Sequence, residues 1–262
     1  PPATLFGQAW HGMRALGDLA RERRRQIAGI EALFLGAFAF LLALRWLNPD
    51  LWQPIWGGEK PFEFGFLNAL TRTPVLPPYS PFYSDGVINY YYYGFFLASL
   101  PTRISGIAPE IAYNLIVPTL FALMLTAVCA LALRVRGSWP LGVAGALLVS
   151  VAGNLAAVFP ANWSRGIGPV IDAFSTGGIA QLGERLGDWF IGPTRVIPNT
   201  INEFPYFSFL FADLHPHTIA LPLTVLMIAL VFEAFDARAK TRAGIAFWGL
   251  TALTLGALAV TN

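Results

Sequence analysis

Residues 21–47 read RERRRQIAGIEALFLGAFAFLLALRWL, and this stretch decides the fold class. From Ile27 to Leu47 the run is apolar and long enough, as a helix, to cross about 30 Å of hydrocarbon. Four arginines among residues 21–25 directly precede it. Because Lys and Arg beside a span are retained in the cytoplasm, we predict that residues 1–26 form a cytoplasmic segment.

The composition of the whole chain agrees with a helical membrane protein. Of its 262 residues, 55% are hydrophobic and only 12% are charged, whereas a soluble domain carries about a quarter charged residues. Long apolar runs alternate with polar stretches, which predicts an all-α, polytopic membrane helical bundle. The net charge of +2 is too small to indicate a nucleic-acid partner. Cys129 is the single cysteine, so an intramolecular disulfide is excluded.

One ambiguous segment decides the number of spans. The stretch 89–103 begins with a run of tyrosines and ends with Pro101 and Arg103, which favours a helix lying on the outer surface. If it does not cross, the short basic clusters at 134–136 and 238–242 both fall on the cytoplasmic side, as the positive-inside rule requires. We therefore predict about five spans, at 27–47, 111–133, 139–159, 207–235 and 244–260, with two long outer loops at 48–110 and 160–206.

The two outer loops are the expected place of function, because connections of this length are uncommon without one. Within the second loop, apolar residues in 170–190 recur at helical spacing and predict another surface-lying helix. We interpret the chain as a single domain of a multi-pass cell-membrane protein, and as the N-terminal part of a longer protein.

Glu59 lies shortly after the first predicted span. A carboxylate beside the membrane can act as a general base toward a hydroxyl or help to hold a divalent metal. It can equally be a solvated loop acid that pairs with Lys60 at little net energy. The run Tyr90–Tyr93 offers a similar choice. We predict that its four tyrosines occupy consecutive positions of a helix and so point all around its axis. They can form an aromatic belt at the membrane interface, or one or two of the phenols can bind a ligand.

The most specific stretch is 202–217, and the candidate chemistry lies in its last segment, Ala212-Asp213-Leu214-His215-Pro216-His217. Its three ionisable side chains are spaced two apart, so in an extended segment they would face one way. Such a set can bind a metal, grip a phosphate or relay protons. The alternative is a hydrogen-bonded cluster that caps a broken helix, since Pro216 disfavours a continuous one. Ionisable residues at membrane depth are costly, which favours a functional role.

Several short motifs together carry a resemblance to a known family. They are Glu59-Lys60-Pro61, Phe66-Leu67-Asn68-Ala69, Pro77-Pro78-Tyr79-Ser80-Pro81, Ile88-Asn89-Tyr90-Tyr91-Tyr92-Tyr93-Gly94, and Glu203-Phe204-Pro205 followed by Asp213-Leu214-His215-Pro216-His217. With these motifs, most of residues 45–262 resembles the YYY membrane protein family, a domain of unknown function. That family is in turn distantly similar to the C superfamily of membrane glycosyltransferases (GT-C), which includes protein mannosyltransferases.

The GT-C enzymes share the layout predicted above from charge. They have a cytoplasmic N-terminus, a first span and a large outer loop that opens with an acidic motif, usually Asp-Glu. The matching pair here is Glu59-Lys60, so one carboxylate of that motif is kept and the other is replaced. The resemblance implies transfer of a sugar from a polyprenyl-phosphate donor to an acceptor hydroxyl on the outer face of the membrane.

The resemblance also implies roles for individual residues. Glu59 would be the catalytic base, and a divalent metal, Mg²⁺ or Mn²⁺, would be held by Asp213, His215 and His217. Arg103 or Arg195 would act as charge partners of the donor phosphate. The implied substrate-binding residues are Lys60, Glu63, Asp85, Asn89, Tyr90, Tyr91, Tyr92, Tyr93, Arg195 and Glu203.

Two other functions compete with the transferase hypothesis. A transporter also needs polar residues at membrane depth, but it places them in mid-span and often in inverted repeats, and no repeat is visible in the sequence. A purely structural membrane protein would not need Asp213, His215 and His217 beside the bilayer. The transferase hypothesis requires Glu59 and the Asp213 segment to face one outer cavity, whereas a transporter needs a path that continues across the membrane.

Overall fold

The computed structural model of the protein describes Arg14 and residues 17–18, 20–52, 58–153, 192–235 and 244–261, and its regular secondary structure there is helical. These residues contain no strand beyond an isolated bridge between Tyr79 and Val87, so the predicted all-α membrane fold is confirmed. A short 3₁₀ helix spans Gly192–Arg195. The α-helices are α1 (Arg24–Leu47), α2 (Lys60–Arg72), α3 (Tyr92–Ser105), α4 (Pro109–Arg136), α5 (Trp139–Ser150), α6 (Pro205–Phe211), α7 (Pro216–Phe235) and α8 (Ile245–Thr261).

Three of these helices, α1, α4 and α7, are long and apolar enough to cross a membrane. They overlap the predicted spans 27–47, 111–133 and 207–235. Helices α5 and α8 are apolar but shorter. Helix α5 ends at Ser150, residues 151–153 are not helical, and residues 154–159 of the predicted span 139–159 lie outside the described residues. The predicted surface helix at 170–190 and the basic cluster at 238–242 also lie outside them.

Side-chain contacts fix the directions of the three long helices. At one end, Nε and Nη2 of Arg45 in the last turn of α1 donate to Oδ1 of Asn114 near the start of α4. At the other end, Arg134 near the end of α4 pairs with Glu233 near the end of α7, and Arg23 before α1 lines the same cavity. We call the first the near end and the second the far end. Helix α1 therefore runs antiparallel to α4 and α7, which are parallel to each other.

The first predicted outer loop folds as α2, α3 and the connection between them. An aromatic cluster holds these parts together: Phe62 stacks on Phe82 with ring centroids 4.9 Å apart, and Phe66 contacts Tyr90 and Phe95 at 5.7 Å each. The prediction that Tyr90–Tyr93 occupy four consecutive helical positions is wrong. Helix α3 begins at Tyr92, because Tyr90 and Tyr91 lie in the bend where the connection turns back over α2.

The segment 207–235 is not one continuous helix. Helix α6 ends at Phe211, the next residue Ala212 adopts a left-handed conformation with φ of 62°, and α7 begins at Pro216. Proline is well suited to a first helical turn and poorly suited to a helix interior, since it lacks an N–H donor. Residues 212–215 therefore form a short break between two helices, and we call them the break.

Candidate functional site

The break and the start of α2 converge on one polar site at the near end. The backbone N–H of Glu59 donates to Oδ2 of Asp213 at 3.3 Å, and Nζ of Lys60 lies 3.3 Å from Oδ1 of the same carboxylate. His215 contacts two acids, with Nε2 3.6 Å from Oε2 of Glu59 and Nδ1 2.7 Å from Oε1 of Glu63. Glu59 and the Asp213 segment therefore meet in the structure.

Gly58 makes this convergence possible. Its φ of 61° lies in the left-handed region that favours glycine, and a Cβ built on it would lie 2.5 Å from Oδ2 of Asp213. The chain therefore turns into α2 with its backbone directly against the break. Pro61, in the first turn of α2, has a fixed φ that suits a helix start.

Glu63 is the buried centre of the site. It lies one helical turn after Glu59, and its side chain is 1% exposed whereas that of Glu59 is 57% exposed. Its Oε2 accepts a hydrogen bond from the phenol of Tyr113 at 2.7 Å and from the backbone N–H of Leu214 at 2.6 Å. Helix α4, through Tyr113, therefore fixes the same carboxylate that contacts His215.

The charges of the site depend on one another. Burial, together with the nearby Glu63 carboxylate, raises the pKa of Asp213 above its usual range, and Lys60 opposes this increase. The contact with Glu63 raises the pKa of His215 to about 9, although burial alone would lower it. The raised pKa favours the protonated form of His215 at neutral pH.

His217 belongs to a second cluster of polar side chains beside this site, with Glu203 and Ser208. It lies in the first turn of α7, and its Nε2 is 2.9 Å from Oε2 of Glu203 and 3.3 Å from the hydroxyl of Ser208. Hydrogen bonding from His217 lowers the pKa of Glu203, which burial would otherwise raise. The rings of His215 and His217 are 5.1 Å apart, so the two groups are neighbours.

The residues that converge like metal ligands differ from the predicted set. One ligand atom each from Glu63, Asp213 and His215 lies within 4.8 Å of the other two. The sequence interpretation had Asp213, His215 and His217, on the assumption of an extended segment. Because Pro216 starts a helix, His217 turns toward Glu203, and Glu63 of α2 takes the corresponding place.

The other predicted substrate-binding residues lie in different environments in the structure. Tyr90 belongs to the aromatic cluster on α2, and its pKa is raised by burial and, to a lesser extent, by Glu59 and Glu63. Tyr92 and Tyr93 are half-buried on α3. Arg195 donates to its neighbour Thr194. The remaining members are exposed near the start of α3: Asp85, Asn89 and Tyr91.

Sequence reasoning missed Tyr113 and underestimated Glu63. Tyr113 is fully buried near the start of α4, where its hydroxyl meets Glu63 and the N–H of Leu214. A tyrosine inside a predicted span is itself a signal, since a buried phenol needs a polar partner. The spacing of four between Glu59 and Glu63 is another, because residues i and i+4 share a face of a helix.

Comparisons with known proteins place the chain in a family without giving it an activity. Searches of curated proteins and of solved structures found no match. A family model described as "Uncharacterized membrane protein (DUF2298)" matches residues 3–262. This match confirms the resemblance to a membrane protein family of uncharacterised function, while the similarity to glycosyltransferases stays a prediction. Since the model covers nearly the whole chain, the protein belongs to the DUF2298 family of membrane proteins.

Proposed function

We propose that the protein is a membrane glycosyltransferase, which moves a sugar from a polyprenyl-phosphate donor to an acceptor hydroxyl on the outer face of the cell membrane. The observation that carries this proposal is the meeting of Glu59 and Glu63 with the break at one end of a membrane-spanning bundle. A lipid-linked donor keeps its chain in the bilayer, so its phosphate and sugar would reach a site in this position.

The proposed chemistry assigns Glu59 as the base. Its exposed carboxylate accepts the proton of the acceptor hydroxyl, whose oxygen forms a bond to the anomeric carbon of the sugar. The bond from that carbon to the phosphate oxygen breaks, and the oxygen keeps the electron pair as polyprenyl phosphate. His215, cationic at neutral pH and partly exposed, supplies positive charge near that leaving group.

The same geometry favours a transferase over a transporter. A transporter needs a polar path that continues from the site toward the far end. Along the two long helices that continue from the site, α4 and α7, the described buried residues are mostly apolar, as with Val117 and Met124 at 0% exposed and Ile219 at 4%. This apolar interior supports an enzyme that works from one side of the membrane.

The test is sugar transfer by the purified protein in liposomes, supplied with polyprenyl-phosphate sugars and a labelled-sugar readout. Replacing Glu59 with Gln (Glu59→Gln) removes the base, and we expect transfer to fall by about 10² to 10⁴-fold. Glu110→Gln is the matched control, since Glu110 is an exposed acid in the first turn of α4, at the same end of the bundle. Equal activity of Glu59→Gln and the unmodified protein would refute the role of Glu59, and absence of transfer with every such donor would refute the function.

A further inference from the structure

We infer that Glu63, Asp213 and His215 form a binding site for one transition-metal dication of the Mn²⁺ type. The three residues come from two separate parts of the chain, α2 and the break, and present their ligand atoms within 4.8 Å of one another. The site is the one in the proposed function, and the metal inference deepens that proposal.

The spacing suits a metal after a small adjustment. Ligand atoms about 2.1 Å from a central ion lie at most about 4.2 Å apart, so each atom must move toward a common centre by less than about 1 Å. Other contacts already hold two of the three ligand side chains in place. The carboxylate of Glu63 is fixed by Tyr113, and that of Asp213 by the N–H of Glu59.

A second observation independently points to a ligand. Oε1 of Glu63 and Oδ1 of Asp213 are buried, and neither takes part in a hydrogen bond. Oε1 lies 2.7 Å from Nδ1 of His215, and Oδ1 lies 3.3 Å from the Lys60 ammonium, so each oxygen faces positive charge. Buried carboxylates require such a partner, and one cation coordinated by both oxygens would supply it.

The ligand types decide the class of metal. Two carboxylates with one imidazole form a mixed oxygen and nitrogen set, which suits Mn²⁺ or Zn²⁺ better than Mg²⁺ or Ca²⁺. Nδ1 of His215 faces Oε1 of Glu63 at 2.7 Å, so it would coordinate the metal while its proton leaves to solvent. Nε2 keeps its hydrogen and faces Glu59 at 3.6 Å. A carboxylate on the second nitrogen commonly orients a metal-bound histidine. The metal would then replace the His215 proton as the positive charge near the donor phosphate.

The experiment measures Mn²⁺ binding directly, without any sugar donor. The purified protein in detergent is titrated with Mn²⁺, and the electron paramagnetic resonance signal of the free ion is recorded. We expect one Mn²⁺ per chain, at least tenfold weaker binding in Glu63→Gln and in His215→Gln, and displacement by Zn²⁺ at lower concentration than by Mg²⁺. His217→Ala is the matched control, since His217 is adjacent to the site but contacts Glu203 instead, and it should bind Mn²⁺ as the unmodified protein does.

Three outcomes would overturn the inference. They are no binding by the unmodified protein, unchanged binding in both Glu63→Gln and His215→Gln, and a loss in His217→Ala equal to theirs. The thermal unfolding midpoint of each variant without metal shows whether it is folded, and Gln can still accept the hydrogen bonds that Oε2 of Glu63 receives. Mn²⁺ binding without sugar transfer would refute the proposed function alone, and transfer without Mn²⁺ binding would refute the metal site alone.

Discussion

Gly58 is the residue whose backbone the site depends on most directly. Its left-handed conformation and its close approach to Asp213 leave no room for a side chain. We expect Gly58→Ala to cost about 1–3 kcal/mol of stability and to displace the carboxylate of Asp213, one of the proposed metal ligands. Mn²⁺ affinity should then fall by at least tenfold.

Gly106 offers a matched comparison for this change. It has a similar φ of 67°, but a Cβ built on it would meet nothing within 4 Å. Gly106→Ala should therefore show the backbone strain alone, and Mn²⁺ binding should be unaffected. Thermal unfolding and the Mn²⁺ titration together measure both effects. Similar losses of Mn²⁺ affinity in the two variants would contradict a special role for Gly58.

Glu203 predicts a specific response to acid. Its pKa in the folded protein lies below the ordinary value of 4.5, mainly because of its hydrogen bond with His217. A depressed carboxyl pKa stabilises the fold above the unfolded pKa, and this contribution is lost as pH falls through the folded pKa. The thermal unfolding midpoint of the unmodified protein should therefore fall more steeply below about pH 4.5 than that of Glu203→Gln. Parallel curves for the two proteins would show that the Glu203–His217 contact contributes no stability.

At the scale of elements, the contact between Arg45 and Asn114 joins α1 to α4 at the near end. Arg45 is 5% exposed, so removing its acceptor leaves a buried guanidinium with fewer hydrogen bonds. We expect Asn114→Leu to destabilise the protein by about 1–2 kcal/mol, and Asn114→Leu combined with Arg45→Met to cost less than the sum of the single changes. The free energy of unfolding of each variant is measured in mixed micelles with increasing SDS. Strict additivity would indicate that the contact does not couple the two helices.

The elements show where sequence reasoning succeeds and where it stops. The run Ile27–Leu47 predicts a spanning helix because length and hydropathy are local properties. The motif at 212–217 likewise indicates a polar site. Which residues meet there is not local: Glu63 reaches His215 only because α2 folds back against the break. The register of the helix that starts at Pro216 decides that His217 turns away, and an assumption of extended chain cannot supply that register.

For the whole molecule, the directions of α1, α4 and α7 predict which residues share a side of the membrane. Asp85 is exposed in the connection between α2 and α3, and Arg136 is exposed at the far end of α4. In a Cys129→Ser background, we expect a membrane-impermeant maleimide to label Asp85→Cys on intact cells. Arg136→Cys should react only after the cells are permeabilised. Labelling of both from outside, or the reverse pattern, would contradict the proposed orientation.

The position of two helix starts at the site has an electrostatic consequence. Helices α2 and α7 both begin at the site, so the partial positive ends of their peptide dipoles face it. Such a field attracts anions and opposes cations, and it acts on a dication and on a phosphate with opposite signs. The phosphate would offset the field that opposes the dication, the dication would strengthen the field that attracts the phosphate, and the two would therefore bind cooperatively. A lipid phosphate arriving from the bilayer should accordingly raise the affinity of the site for the dication above the value measured without a donor.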